Sequence, residues 1–264
     1  MHLTAVDARI SEDTPRDLRG VRELRTRLEA AYGTKALTIE GRQGPFERTH
    51  WRDDLAASEA VLREAAERVP GVILASDCSL ALATLPRANA TVLWLDAHAD
   101  YDTPSTQTYD FLGCMSLAGA TGAWESPFGA IDPRRVVHVG ARSQPGDFDY
   151  AGQEQGRGEL KAMLPATATL DEIAEALGPG PVYVHFDPDV LDPSINPIPY
   201  GRPNGMTEAN VRAIADAITP VGLELCAFHS ADDAGTRDRV AALLVDLVTA
   251  FLPPPEREEA DAQG

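Results

Sequence analysis

Asp96, His98, Asp100 and Asp102 occupy alternate positions in the run Val-Leu-Trp-Leu-Asp-Ala-His-Ala-Asp-Tyr-Asp, residues 92–102. Oxygen and imidazole donors in such a cluster suit manganese, iron, cobalt or zinc. The run opens with an apolar stretch, residues 91–95, as a strand buried on both faces does. Leaving even a neutral polar group without a partner in such a layer costs about 2–7 kcal/mol. The strand must therefore emerge at Asp96, at the carboxyl edge of a parallel sheet, where open α/β sheets place their ligand crevice.

A second stretch, residues 181–192, repeats the pattern: Pro-Val-Tyr-Val-His-Phe-Asp-Pro-Asp-Val-Leu-Asp. Val182, Val184 and Phe186 form the apolar strand, and Asp187, Asp189 and Asp192 follow it. One Asp-x-Asp alone commonly caps a turn or helix. Two strand ends of this kind can share two cations, the alternative being two polar ends that cap neighbouring helices.

The rest of the chain must position these tips. Residues 3–10, 36–40, 72–75, 135–140 and 221–228 read as further strands, with a short one near 161–164. Leu18, Val21, Leu24, Leu28 and Ala31 recur at helical spacing up to Gly33, and a second helix covers residues 51–69 before Pro70-Gly71. Further helices are expected over 80–85, 112–120, from Asp171, from Thr207-Glu208 to Ile218, and over 234–251. Alternating strands and helices predict an α/β fold with one mostly parallel sheet covered on both faces. A single domain over residues 1–252 is expected, with a disordered, proline-rich acidic tail over 253–264. The polar loop 103–108 is long enough to wall a pocket, and four prolines stiffen the loop 193–203. By position alone, Cys78 in the turn Ser76-Asp77-Cys78-Ser79 reads as a small buried apolar residue.

A net charge of −18 repels nucleic acid and anionic membranes. It either draws cationic ligands or simply keeps the surface soluble. No apolar run is long enough to span a membrane, and no secretory segment opens the sequence. Three cysteines make no disulfide framework, so the cytoplasm is the expected compartment.

Asp96-Ala97-His98-Ala99-Asp100 together with the segment from His185 to Pro193 resembles the arginase/agmatinase, or ureohydrolase, family, over about residues 72–251. The resemblance implies a three-layer α/β/α fold and two divalent metal ions, usually manganese, bridged by a hydroxide that attacks a guanidinium carbon. It implies that Asp96 and Asp187 bridge both metals, that His98 and Asp189 complete one site, and that Asp100 ligates the other and carries the proton to the leaving amine. It also implies a small-molecule substrate and a homo-oligomer, since family members often form trimers or hexamers.

Several positions depart from the family. Its histidine ligand is replaced by Cys78, which on this resemblance becomes a sixth ligand, softer and favouring zinc, iron or cobalt over manganese. Its proton-shuttling histidine falls on Gly113. Both changes resemble a divergent branch that includes the hydroxyarginine hydrolase of D-cycloserine biosynthesis. A hydroxyguanidine's nitrogen leaves with less help, so loss of a general acid worth about 10²–10⁴-fold is tolerable there. Asp102 stands where arginases hold the substrate carboxylate with asparagine. Two carboxylates 4 Å apart repel by about 4 kcal/mol at an effective dielectric of 20. The glutamate that pairs the guanidinium aligns with Ala227. Glu224 would face the other side of the sheet, leaving His229 as a substrate contact or a simple strand-end contact. The expected activity is metal-dependent hydrolysis of an arginine-like or N-hydroxyarginine-like compound to urea or hydroxyurea. The alternatives are another amidine or amide with a cationic, agmatine-like tail, drawn by Asp102, and a non-catalytic metal-binding relative.

Overall fold

The computed structural model describes residues 2–255. Eight parallel strands form one sheet in the order β2-β1-β3-β8-β7-β4-β5-β6. They are β1 (Leu3–Asp7), β2 (Leu37–Glu40), β3 (Val72–Leu74), β4 (Thr91–Leu95), β5 (Val136–Val139), β6 (Ala162–Leu164), β7 (Val182–Phe186) and β8 (Gly222–Leu225). Successive side chains on each strand enter opposite cores. Leu93 and Leu95 join Phe186 and Leu225 in a cluster with α1 (Pro15–Tyr32), α6 (Leu170–Leu177), α7 (Glu208–Ala217) and α8 (Ala234–Phe251). Val92 and Trp94 join Ile73 and Tyr183 in a second cluster with α2 (Trp51–Ala66), α3 (Ala81–Thr84) and α4 (Ser116–Ala120). The result is the expected three-layer α/β/α arrangement.

Local sequence fixes the helix ends. Thr14 caps α1 ahead of Pro15, and Gly33 stops it in the left-handed region at φ 64°. Thr169 and Glu172 form a capping box on α6, and Thr207 with Asn210 does the same for α7. The helix α5 (Tyr150–Glu159) was not expected: its sequence, Tyr-Ala-Gly-Gln-Glu-Gln-Gly-Arg-Gly-Glu, carries three poor helix formers. Packing outweighs propensity here. A Cβ at Gly152 would lie 2.7 Å from the Asp102 amide, and one at Gly156 would lie 3.1 Å from the Tyr101 ring. The strand expected over 221–228 ends earlier, at Leu225, because Ala227 adopts φ 56°. The expected tail falls, from residue 256 on, outside the described residues.

Strands β3 and β4 are consecutive in the chain yet stand three places apart, with β8 and β7 between them. The carboxyl ends of these four adjacent strands converge at that break, the expected place for a ligand site. Beside them, the loop after β1 is pinned by Arg9. This fully buried guanidinium donates to the Glu12 carbonyl at 2.7 Å, the Glu47 carbonyl at 2.8 Å and Asp54 Oδ1 at 3.0 Å. Arg9→Met would strip Asp54 of one of its two cationic partners and free the loop. We expect a loss of about 3–5 kcal/mol in chemical denaturation; a change within 0.5 kcal/mol, the scale of an ordinary surface substitution, would show the anchor to be dispensable.

Candidate metal centre

Asp96, His98 and Asp100 leave the end of β4, Asp187 and Asp189 leave β7, and Cys78 follows β3. All six are buried and all line one cavity of about 300 Å³. The tips are locked together by charge-assisted hydrogen bonds. Asp189 Oδ1 accepts from the Ala97 amide at 2.8 Å, and its Oδ2 lies 2.7 Å from His98 Nδ1. Asp96 Oδ1 accepts from the His98 amide at 2.7 Å, and its Oδ2 accepts from Trp94 Nε1 at 3.0 Å. Asp187 Oδ1 accepts from the Asp189 amide at 2.8 Å, while its Oδ2 lies 3.2 Å from Cys78 Sγ.

Asp100 depends on the small-residue segment around α4. Its backbone is left-handed, at φ 49°. The amides of Leu117 and Ala118 donate to its carbonyl at 3.0 and 3.2 Å, and Ser116 Oγ donates to Oδ2 at 3.1 Å. Asp77 fixes the Cys78 turn by accepting from the Ser79 amide at 2.7 Å and from the Ser11 amide at 2.7 Å.

Among the described residues, three sets of donors are close enough to hold a cation; His185, Glu224 and Cys226 form one, wholly inside the core, and the other two lie at the cavity. Of these two, Asp96, His98 and Asp189 form one and Cys78, Asp96 and His185 the other, with the donor atoms of each set within 4.8 Å of one another. Asp96 belongs to both. His98 Nε2 is buried without a protein partner. Four buried carboxylates face one imidazole of the cluster, an excess of negative charge that only cations or protons can relieve. The residues present therefore fit divalent metal ions.

The electrostatics agree. Burial and then the neighbouring aspartates push Asp96 and Asp187 well above the usual carboxylate range. Burial raises Asp100 to about 8 against the pull of His98. Burial acts on Asp189 in the same sense, yet His98 and the Ala97 amide outweigh it and bring Asp189 down to about 2. Burial raises the Cys78 thiol, and Asp187, Asp100 and Asp96 raise it further.

Two expected substrate contacts do not reach the cavity, which is lined without them. Asp102 is buried against α5, where Thr106 Oγ1 donates to it at 3.3 Å. His229 lies behind the wall: its Nδ1 is 3.1 Å from Asp17 Oδ1, and Asp17 is the residue that faces the cavity. Glu224 does not reach the cavity either, lying beneath the centre against His185. The wall expected from residues 103–108 is supplied instead by Tyr109 and Phe111, with Phe148, Tyr200 and Arg48. Tyr200 comes from the proline-rich loop. A Cβ at Gly113 would lie 2.6 Å from the Phe111 ring, so that ring fills the space above Gly113.

Sequence reasoning missed Glu12, which lines the cavity. Its Oε2 accepts from the Ile10 and Ser11 amides at 3.0 and 3.1 Å, while its buried Oε1 has no protein partner. The signal was an acidic pair, Glu12-Asp13, just past the carboxyl end of a strand. His185 was also given no role, although it lies two residues before Asp187 and so shares its face of β7.

The Arginase family model matches residues 56–251. The chain belongs to the arginase family. It is 34% identical over 239 residues to the N(omega)-hydroxy-L-arginine amidinohydrolase of Streptomyces lavendulae, covering 84% of this chain and 86% of that protein. It is 32% identical over 228 residues to the arginase of Brucella melitensis, covering 75% and 72%. The structure superposes on the arginase of Bacillus cereus with a TM-score of 0.76 at 20% identity, covering 95% and 96%. Members of the arginase family are metal-dependent amidinohydrolases, and this chain is such an enzyme. Among the described residues, no helix is long and apolar enough to cross a membrane.

The raised aspartates make the metal-free protein pH-sensitive. Asp100 binds its proton more tightly folded, at about 8, than unfolded, at about 4. The folded state thus carries the extra proton between those values, and stability falls as pH rises through them. We expect chelator-stripped protein to melt at a lower temperature at pH 8 than at pH 6, and added divalent metal to reverse most of the loss. An equal or higher melting temperature of stripped protein at pH 8 would show that the cluster is not so strained.

Proposed function

We propose that this arginase-family enzyme hydrolyses a carbon–nitrogen bond of an N-hydroxyguanidino or guanidino compound, with N-hydroxyarginine the favoured substrate, yielding hydroxyurea or urea and an amine. The observation that carries this reading is the pair of donor sets sharing Asp96 on the floor of a walled cavity. Cys78, Asp96, His98, Asp100, Asp187 and Asp189 would hold two divalent ions, Asp96 being the donor that the two sets share. Manganese suits the carboxylates, and zinc, iron or cobalt suits the thiol. When bound, the ions would supply a water deprotonated near neutral pH and stabilise charge on its oxygen as the carbon becomes tetrahedral.

The chain's own residues do the rest. Asp100 is held rigidly by Ser116 and two amides, and burial favours its protonated form, a tendency that a bound cation opposes. It is therefore placed to take a proton from the attacking water and pass it to the departing nitrogen. Glu12 Oε1, unpaired and buried in the wall, offers a charge-assisted partner to a cationic planar group, a role that Ala227 cannot fill. The rings of Tyr109, Phe111, Phe148 and Tyr200 line the cavity and can face a planar cation. With Phe111 over Gly113, no side chain at that position delivers a proton to the leaving group. A hydroxylated nitrogen, less basic than an amine, tolerates that loss. The relative from Streptomyces lavendulae supports the same choice.

A cationic, agmatine-like tail is the second reading, favoured by Asp13 and Asp17 in the wall rather than by Asp102. A metal-loaded sample should be assayed with N-hydroxyarginine, arginine, agmatine and guanidinobutyrate. Hydroxyurea from the first is expected. Turnover of agmatine alone would favour the second reading, and metal binding with no product from any would leave a non-catalytic relative. Asp100→Asn should lower kcat by about 10²–10⁴-fold; retention of most of the wild-type rate would remove Asp100 from the proton path. Glu12→Gln should raise KM roughly 10- to 100-fold, the loss of a hydrogen bond to a charged group. An unchanged KM would place the cationic end of the substrate elsewhere.

A further inference from the structure

His185 has no role in the mechanism above, yet its surroundings are unusually specific. It is wholly buried, and it pairs in register with Trp94 on β4. The two rings stack with centroids 3.5 Å apart and planes 8° from parallel. Its Nδ1 lies 2.7 Å from Glu224 Oε1. Glu224 is itself fully buried and accepts at Oε2 from Thr84 and Tyr183 hydroxyls, at 2.5 and 3.2 Å. The carboxylate therefore has no freedom to turn, and neither has the ring. With Nδ1 donating to Glu224, Nε2 carries the lone pair. That nitrogen is buried and has no partner in the protein. His185 belongs to one set of donors with Cys78 and Asp96 and to another with Glu224 and Cys226, the donor atoms of each within 4.8 Å of one another; with Nδ1 taken by Glu224, Nε2 is the nitrogen left for the first.

A buried imidazole with an idle nitrogen on one side and a fixed carboxylate on the other is the arrangement that orients metal-binding histidines. An unmade hydrogen bond at a buried nitrogen costs about 1–3 kcal/mol; His138 carries the same cost at Nδ1, but of the two only His185 has its idle nitrogen among metal-ligating donors.

We propose that His185 is a metal ligand, completing with Cys78 and Asp96 a sulfur-and-nitrogen site beside the carboxylate-rich site of Asp96, His98 and Asp189. The inference rests on the two-cation reading and adds a donor to it. Cys78 offers sulfur rather than nitrogen, and His185 would supply the nitrogen from β7. The two sites then differ in chemistry. The one at Cys78 and His185 takes a borderline-soft ion such as zinc, cobalt or ferrous iron, while the other accepts manganese.

The test is X-ray absorption at the zinc edge on metal-stripped protein reloaded with Zn²⁺ alone. The wild type should bind two ions and show scattering from two imidazoles at about 2.0–2.1 Å and one sulfur at about 2.3 Å. In His98→Ala, which alters a residue at the cavity rather than in the core, one imidazole should remain. Loss of all imidazole scattering in that variant, with zinc still bound, would overturn the proposal while leaving the two-cation reading intact. Failure of the wild type to bind zinc or any other divalent ion would instead sink that reading. Glu224→Gln, a change of nearly equal volume, should weaken one of the two zinc affinities by roughly 10- to 100-fold through loosening of the ring. Unchanged affinity for both ions would count against His185 as a ligand.

Discussion

Mutual repulsion among buried carboxylates is the constraint around which this molecule is built. Asp96, Asp100, Asp187 and Asp189 lie together where water cannot screen them, and each close pair costs several kcal/mol if both are charged. Backbone amides, a tryptophan N–H and one imidazole offset part of that cost. The remainder calls for cations. The strand order serves this end, since it brings the carboxyl ends of β3, β8, β7 and β4 side by side although they are scattered along the chain.

Most of the frame was legible because its signals are local. The apolar runs at β4 and β7, the acidic residues beyond them, the Thr and Gly helix boundaries and the helical spacing of α1 and α8 each depend on a few neighbouring residues. The clustering of Cys78, Asp96, His98, Asp100, Asp187 and Asp189 was legible in part for the same reason: alternate polar residues at a strand end face one crevice. Helix α5 was hidden because its glycines exist to let Tyr101 and Asp102 come close, a contact distant in sequence.

The walls of the cavity were far less legible. Asp102 follows the motif by parity, but the chain leaves the strand before reaching it, so the alternation that places Asp96 and His98 no longer applies and the side chain turns towards α5. His229 was placed by the same rule, and the left-handed backbone at Ala227 breaks it. Glu12 and Tyr200 come from loops whose course is set by remote partners, Glu47 and Asp54 acting through Arg9 for the first and the chain's return into α7 for the second. Strand parity is a dependable guide only while the strand lasts.

The Phe111 ring over Gly113 has an evolutionary consequence. A single codon change that put histidine at 113 would drive its Cβ into the ring, 2.6 Å away. A side chain fits at that position only if Phe111 shrinks or moves as well. Residues 111 and 113 are thus coupled by packing, and the size of one sets what the other can be.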